Sequence, residues 1–266
     1  VVVDEVHCLT EWGSEFRPMY RNIGKFFKDL PSSPVVAAFS ATVMQEDIPY
    51  ITKSLRMKNP TVHIGKLKRS NLSLGKVFVK TEAIRYGKVK KAILKYADKG
   101  KIVIYCTRVC DVEEMRDYLI EDCDIEADEI AICHSKLSNR AKQEQRFRSG
   151  KARIMIATSA FSMGIDVPDI ELVVHFNAPI NMTDYIQQIG RAGRDGRKAH
   201  CVLFYDQNGD DEAISNSFIK KAKKQSPKVA KVIKAKLSQV HNFIHSDSCM
   251  VCDILKYQGQ HEVKTC

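Results

Sequence analysis

Val1-Val2-Val3-Asp4-Glu5-Val6-His7 runs three β-branched residues directly into two carboxylates. Such a run favours a buried strand, so Asp4 and Glu5 fall at its carboxyl end, where α/β sheets bind ligands. Phosphate chemistry uses a pair of this kind. One carboxylate holds Mg²⁺ through water, and the other orients or deprotonates the attacking water. Acidic residues at a strand end are also ordinary solvated turns, and the pair alone does not choose between the two.

Further apolar runs at Val35–Phe39, Ile102–Tyr105, Ile154–Ala157, Leu172–Phe176 and Val202–Phe204 alternate with longer charged segments of helical period. Strands alternating with helices predict an α/β fold of parallel sheets covered by helices. The basic stretch from Lys66 to Gly75 reads as a linker, with a boundary near residue 68. Beyond Phe204 a polar turn leads into the lysine-rich segment Lys220–Lys236, broken at Ser226-Pro227 and helical through His245. The expected organisation is a first lobe at 1–68, a second at 69–207 and a small helical subdomain at 208–266.

Lys and Arg outnumber Asp and Glu by 42 to 32 over the 266 residues, a formal charge of +10. This suits a polyanionic partner, and solubilising lysines spread over the surface would give the same total. Nine cysteines are present, and most sit in apolar stretches (Cys8, Cys106, Cys133, Cys201), where a reduced thiol acts as a small hydrophobe. The apolar runs are too short to cross a bilayer, and no membrane contact is expected. Because the chain opens on a strand without a Met or a basic leader, it reads as a fragment of a soluble, intracellular protein.

A second chemical signal is Gln187-Gln188-Ile189-Gly190-Arg191-Ala192-Gly193-Arg194-Asp195-Gly196-Arg197. Arginines three apart between small residues can approach a triphosphate and neutralise charge on a transferred phosphoryl group. Together with Asp4-Glu5-Val6-His7, Ser40-Ala41-Thr42, Ile104-Tyr105-Cys106 and the run Ile156 to Asp166, this resembles, in order, motifs II to VI of superfamily 2 helicases. The segment Glu11-Trp12-Gly13-Ser14-Glu15-Phe16-Arg17-Pro18-Met19-Tyr20 is similar to the aromatic-rich loop of the RecQ family.

That resemblance implies two RecA-like lobes, the first truncated at its N-terminal side, and a partly truncated zinc-binding subdomain. It implies an ATP-dependent 3′→5′ DNA helicase acting on single-stranded and partly duplex DNA in repair and recombination, in the cytoplasm or nucleus. Asp4 would hold Mg²⁺, Glu5 would activate water, and His7 would link nucleotide state to DNA. Trp12, Phe16 and Arg17 would sense DNA, since aromatic faces stack on bases of any identity. His134, after the strand Ile132-Cys133, would face the DNA path, or be a satisfied structural histidine. Thr158, Gly164 and Asp166 would lie near nucleotide and strand. Arg191 and Arg194 would reach ATP, with Arg194 as the arginine finger and Gln187 beside them. Cys249 and Cys266 would be ligands of an incomplete Zn²⁺ site unless Cys252, His245 or His261 substitutes, because a closed site needs four ligands.

The sequence departs from the family at Val6, Ser162, Asp166-Val167 and Cys252, and it contains no G-x-x-x-x-G-K-[ST] phosphate loop. The chain alone is therefore expected not to hydrolyse ATP. Two other readings stand beside the DNA helicase: a superfamily 2 helicase acting on RNA, and a nucleic-acid-binding remnant without activity.

Overall fold

The computed structural model describes residues 1–10, 20, 22–65, 68–96, 100–161 and 166–260. The chain divides into two compact units: Val1–Lys68 with the segment from Val251 onward, and Arg69–Met250. The tail expected to form a third subdomain is thus shared between them.

In the first unit, β1 (Val2–Val3) pairs in parallel with β2 (Ala37–Ala38), with Val2 opposite Ala37 and Val3 opposite Ala38. Helices α1 (Ile23–Lys28) and α2 (Ile48–Ser54) accompany them. Val3, Val6, Leu9, Phe27, Ile51 and Leu55 form its core. The opening strand is less buried than its composition predicts. Val3 is 6% exposed but Val2 is 69%, because successive side chains point to opposite faces and only one face meets this core.

The second unit holds six strands: β3 (Leu72–Val79), β4 (Lys101–Tyr105), β5 (Ile130–Cys133), β6 (Ile154–Ala157), β7 (Ile170–His175) and β8 (Ala199–Asp206). Their order is β3-β8-β7-β4-β6-β5, and every pairing is parallel. Intervening helices are α3 (Glu82–Tyr96), α4 (Val109–Glu121), α5 (Arg140–Arg148) and α6 (Met182–Ile189). Parallel strands need cover on both faces, which is why β5 and β6 are buried at every position and β4 at every position but Lys101. The core joins Ile102, Ile104, Ile154, Ile156, Leu172 and Val174 of the sheet to Val112, Met115 and Leu119 of α4.

Leu72–Gly75, assigned to the linker by its sequence, is the first half of the edge strand β3 (Leu72–Val79). Gly75 and Lys76 interrupt its alternation of apolar residues, and pairing with β8 over eight residues outweighs that weak local signal. After β8, α7 (Asp210–Gln225) and α8 (Pro227–His245) pack against each other, and α9 (Met250–Tyr257) follows. Ser226 closes α7 and caps α8, its hydroxyl accepting the Val229 amide at 3.2 Å ahead of Pro227 in the first turn.

The connection after β4 leads toward β5 on one side, and that after β7 leads to β8 on the other. A crevice at the carboxyl ends of two such diverging strands is the usual ligand position in an open α/β sheet.

Candidate functional site

In the first unit the chain leaves β1 through Glu5, whose φ of 51° and ψ of 44° lie in the left-handed region. A non-glycine residue held there costs on the order of 1–3 kcal/mol, and such strain clusters at functional sites. The turn sends the chain into a 3-10 turn, Val6–Leu9, and brings Glu5 Oε2 to 3.2 Å from Nδ1 of His7. His7 is buried, and the same Nδ1 lies 2.8 Å from Ser40 Oγ. That hydroxyl oxygen also accepts the Thr42 amide at 3.2 Å. The acidic motif and Ser40-Ala41-Thr42 therefore form one hydrogen-bonded cluster. Asp4 is exposed, with one carboxylate oxygen accepting the Glu5 amide at 2.8 Å. An exposed carboxylate with a second oxygen fits a magnesium ion held through its water shell.

In the second unit, Asn181 caps α6 by accepting the Asp184 amide at 2.7 Å. Tyr185, Gln188 and Ile189 of this helix are buried. Gln188 Oε1 lies 2.8 Å from His175 Nε2 at the end of β7, and His175 stacks on Tyr105 of β4. Burial lowers the His175 pKa to about 4 against an ordinary 6.5, with the Gln188 hydrogen bond opposing the shift. His175 and Asn177 line a cavity of roughly 30 Å³ at the diverging strand ends, beside Thr107 and Ser159. His175 Nδ1 and Asn177 Nδ2 have no protein partner there, in a space about the size of one buried water.

Past α6 the two arginines part. Arg191 is 5% exposed, its guanidinium 5.7 Å from the centre of the Phe161 ring. Arg194 is exposed and pairs with Asp166 at 3.0 Å. Gly193 between them has a φ of 55°, and a Cβ there would meet Arg197 O and Asn71 Nδ2 at 2.6 Å. The turn is clasped from outside. The Arg69 guanidinium donates to the carbonyls of Gly190 (3.1 Å), Ala192 (3.0 Å) and Gly193 (2.5 Å). Asn71 Nδ2 donates to those of Gly193 and Arg197, both at 2.8 Å.

A family model, the helicase conserved C-terminal domain, matches residues 85–196. Over its whole length the chain is 33% identical to the ATP-dependent DNA helicase RecQ of Bacillus subtilis, of which it spans 43%. It is 31% identical, also over its whole length, to the putative ATP-dependent RNA helicase R290 of Acanthamoeba polyphaga mimivirus, spanning 47% of that protein. The chain belongs to the superfamily 2 helicases. The fold of this chain is shared with S. cerevisiae Dbp5 bound to RNA and ADP BeF3, at 22% identity and a TM-score of 0.62, over 89% of this chain and 62% of that one. The chain thus spans less than half the length of the curated relatives it matches.

The other expected site residues are placed as follows. His134 is 3% exposed rather than facing outward. It packs behind α4, with Nε2 3.8 Å from Glu113 and no hydrogen bond to either ring nitrogen, so it is not a satisfied histidine either. Thr158 follows β6, its amide donating to Cys133 O at 3.0 Å and its hydroxyl accepting from the Ala160 amide at 3.4 Å. Gln187 is half-buried, while its neighbour Gln188 makes the inward contact. Trp12, Phe16, Arg17, Gly164, His261 and Cys266 lie outside the described residues. Cys249 is exposed ahead of α9 and Cys252 is half-buried within it. Among the described residues no three His, Cys, Asp or Glu side chains converge on a metal position, so the described residues do not form a zinc set. Among them, too, no helix is long and apolar enough to cross a membrane.

Sequence reasoning missed Arg69, Asn71, His175 and Gln188, and it missed Arg85. Arg85 is fully buried, 2.9 Å from Asp211 and 3.3 Å from Asp210, with its guanidinium 5.1 Å from the Phe176 ring centre. Asp211 also accepts the amides of Ala178 and Asp206, each at 2.7 Å. This ties α3, the end of β7, the end of β8 and the start of α7 into one buried network. Only the "Arg-Ser-Asn" spacing ahead of a strand hinted at the clasp, and its lysine-rich setting disguised it.

Proposed function

We propose that this chain is part of an ATP-dependent DNA helicase of the RecQ type, which moves 3′ to 5′ along single-stranded DNA and opens duplexes. The observation that carries this reading is the cluster in which Glu5, His7, Ser40 and Thr42 share hydrogen bonds and close ionic contacts across the end of β1. A carboxylate held on a buried imidazole, which itself rests on a second segment, can pass a change at one site to the other. The likeness, over the whole of this chain, to a protein named as a RecQ DNA helicase supports the choice of DNA.

Bound ATP would supply the phosphoryl group transferred to water, and Mg²⁺ would offset the charge on its phosphate oxygens. Asp4 would hold the cation through its water shell, and Glu5 would orient the attacking water and take its proton. Arg191 and Arg194 would neutralise the developing phosphoryl charge, with the Asp166 ion pair holding Arg194 until it is exchanged for phosphate oxygens.

An RNA substrate is the second reading, favoured by the likeness to a protein named as an RNA helicase. ATP hydrolysis by the full-length protein, with single-stranded DNA and with single-stranded RNA, separates the two. Turnover that rises with DNA and not with RNA is the expected result. RNA preference moves the protein to another branch of the superfamily, and no turnover under any condition leaves a binding remnant.

A further inference from the structure

We propose that the hairpin of α7 and α8 is a second contact surface for the phosphate backbone of nucleic acid, separate from the helicase motifs. This deepens the helicase reading and rests on it. Between Glu212 and Asp247 the chain carries eight lysines and no Asp or Glu. Over the whole hairpin, Asp210 to His245, they stand against three acids, a net +5 within the chain's +10. All but Lys236 are exposed. The basic balance read from composition is therefore a local feature and not an even coating.

The lysines gather where α7 passes into α8 at Ser226-Pro227. Lys223 and Lys224 lie in the last turn of α7, and Lys228, Lys231 and Lys234 recur every third residue on α8. At 1.5 Å per residue that is one charge about every 4.5 Å along the axis, a stripe about 9 Å long. Duplex DNA presents one phosphate charge per roughly 1.7 Å of its axis, so each lysine has phosphates within reach. Helix stability accounts for Lys223 and Lys224 at the end of α7 but not for the arrangement on α8. Asp210, Asp211 and Glu212 open α7, matching the positive end of its dipole, whereas α8 has no acid in its first turn and carries Lys228 there. The buried face of α8, with Ala230, Val240, Phe243 and Ile244, is used for packing. Phe243 meets Tyr185 of α6 at 5.3 Å between ring centres, and Lys236 faces the Asp184 carboxylate. The basic hairpin is thus fastened to the helix that leads into Arg191 and Arg194.

The test measures DNA affinity of the full-length protein by fluorescence anisotropy across a range of salt concentrations, with single-stranded and duplex arms. Two triple variants are compared, Lys228→Gln/Lys231→Gln/Lys234→Gln and Lys220→Gln/Lys223→Gln/Lys224→Gln. The control, Lys88→Gln/Lys91→Gln/Lys95→Gln, removes the same charge from exposed positions of α3. Each lost phosphate contact lowers the slope of log affinity against log salt by about 0.9 on duplex and about 0.7 on a single strand. Each hairpin variant is expected to lose about 2 to 3 from its slope on at least one arm, and the control less than 1. An unchanged slope in both hairpin variants, or an equal loss in the control, would overturn the proposal. Normal DNA-stimulated ATP turnover beside unchanged slopes removes the hairpin surface alone. Absent turnover beside reduced slopes removes the helicase reading and leaves the surface.

Discussion

Glu5 is held in a backbone conformation that its side chain does not favour, and its carboxylate is aimed at a buried imidazole. Glu5→Ala in the full-length protein is expected to abolish DNA-stimulated ATP turnover while leaving DNA affinity within about twofold. Arg194→Ala should do the same, because the charge it supplies is needed in the transition state and not for holding DNA. Steady-state turnover beside anisotropy checks both, and normal turnover in either variant would remove its assigned role. His175 adds a pH dependence. Its folded pKa, about 4, lies below the ordinary 6.5, so the unfolded chain binds the proton more readily. Its contribution is fully present above about pH 6.5 and is lost as pH falls toward 4, up to about 3 kcal/mol. Urea denaturation across that range should show a flatter pH profile for His175→Asn than for the parent. Parallel profiles would mean that the imidazole is not held neutral. Asp4, Glu5, Arg191 and Arg194 stood out in the sequence by residue type and spacing, and His7 by resemblance to the helicase motifs; the roles given to them are proposals. His175 and Gln188 did not stand out, because burial beside one another is what gives them a part.

At the scale of elements, α6 and the turn after it form one device. The Asn181 cap starts the helix, Gln188 fixes its inner face to β7, and Arg69 with Asn71 grips the turn carrying Arg191 and Arg194. Arg69→Ala is expected to cost about 3 kcal/mol, since three carbonyls lose a charged donor, and to lower ATP turnover about tenfold. Arg69→Lys should restore little of either, because an ammonium point charge cannot reproduce a fork spanning three acceptors. Full rescue by lysine, read by denaturation and turnover together, would show that charge and not geometry matters. The strands β4, β6, β7 and β8 were readable as apolar runs. β3 was not, because an edge strand beside a single neighbour tolerates Gly75 and Lys76, and its partnership with β8 comes from far along the chain.

At the scale of the whole molecule, two units with separate cores should open separately. Amides of β4, β6 and β7 are expected to exchange hydrogen only at free energies near that of global unfolding. Those of the two-stranded β1–β2 pair should exchange far faster. Hydrogen exchange read by mass spectrometry distinguishes this from a single cooperative unit, in which both would be equally protected. Local patterns of residue type were enough for the α/β class, and a series of short motifs for the kinship with RecQ-like helicases. Each depends on neighbours within a dozen residues, where hydrophobic period and spacing act directly. The strand order, the burial of His134 and Arg85 and the clasp of Arg69 on a turn more than a hundred residues away were decided only by the tertiary structure. Those contacts join segments distant in sequence, and their free energy exists only once the chain has packed.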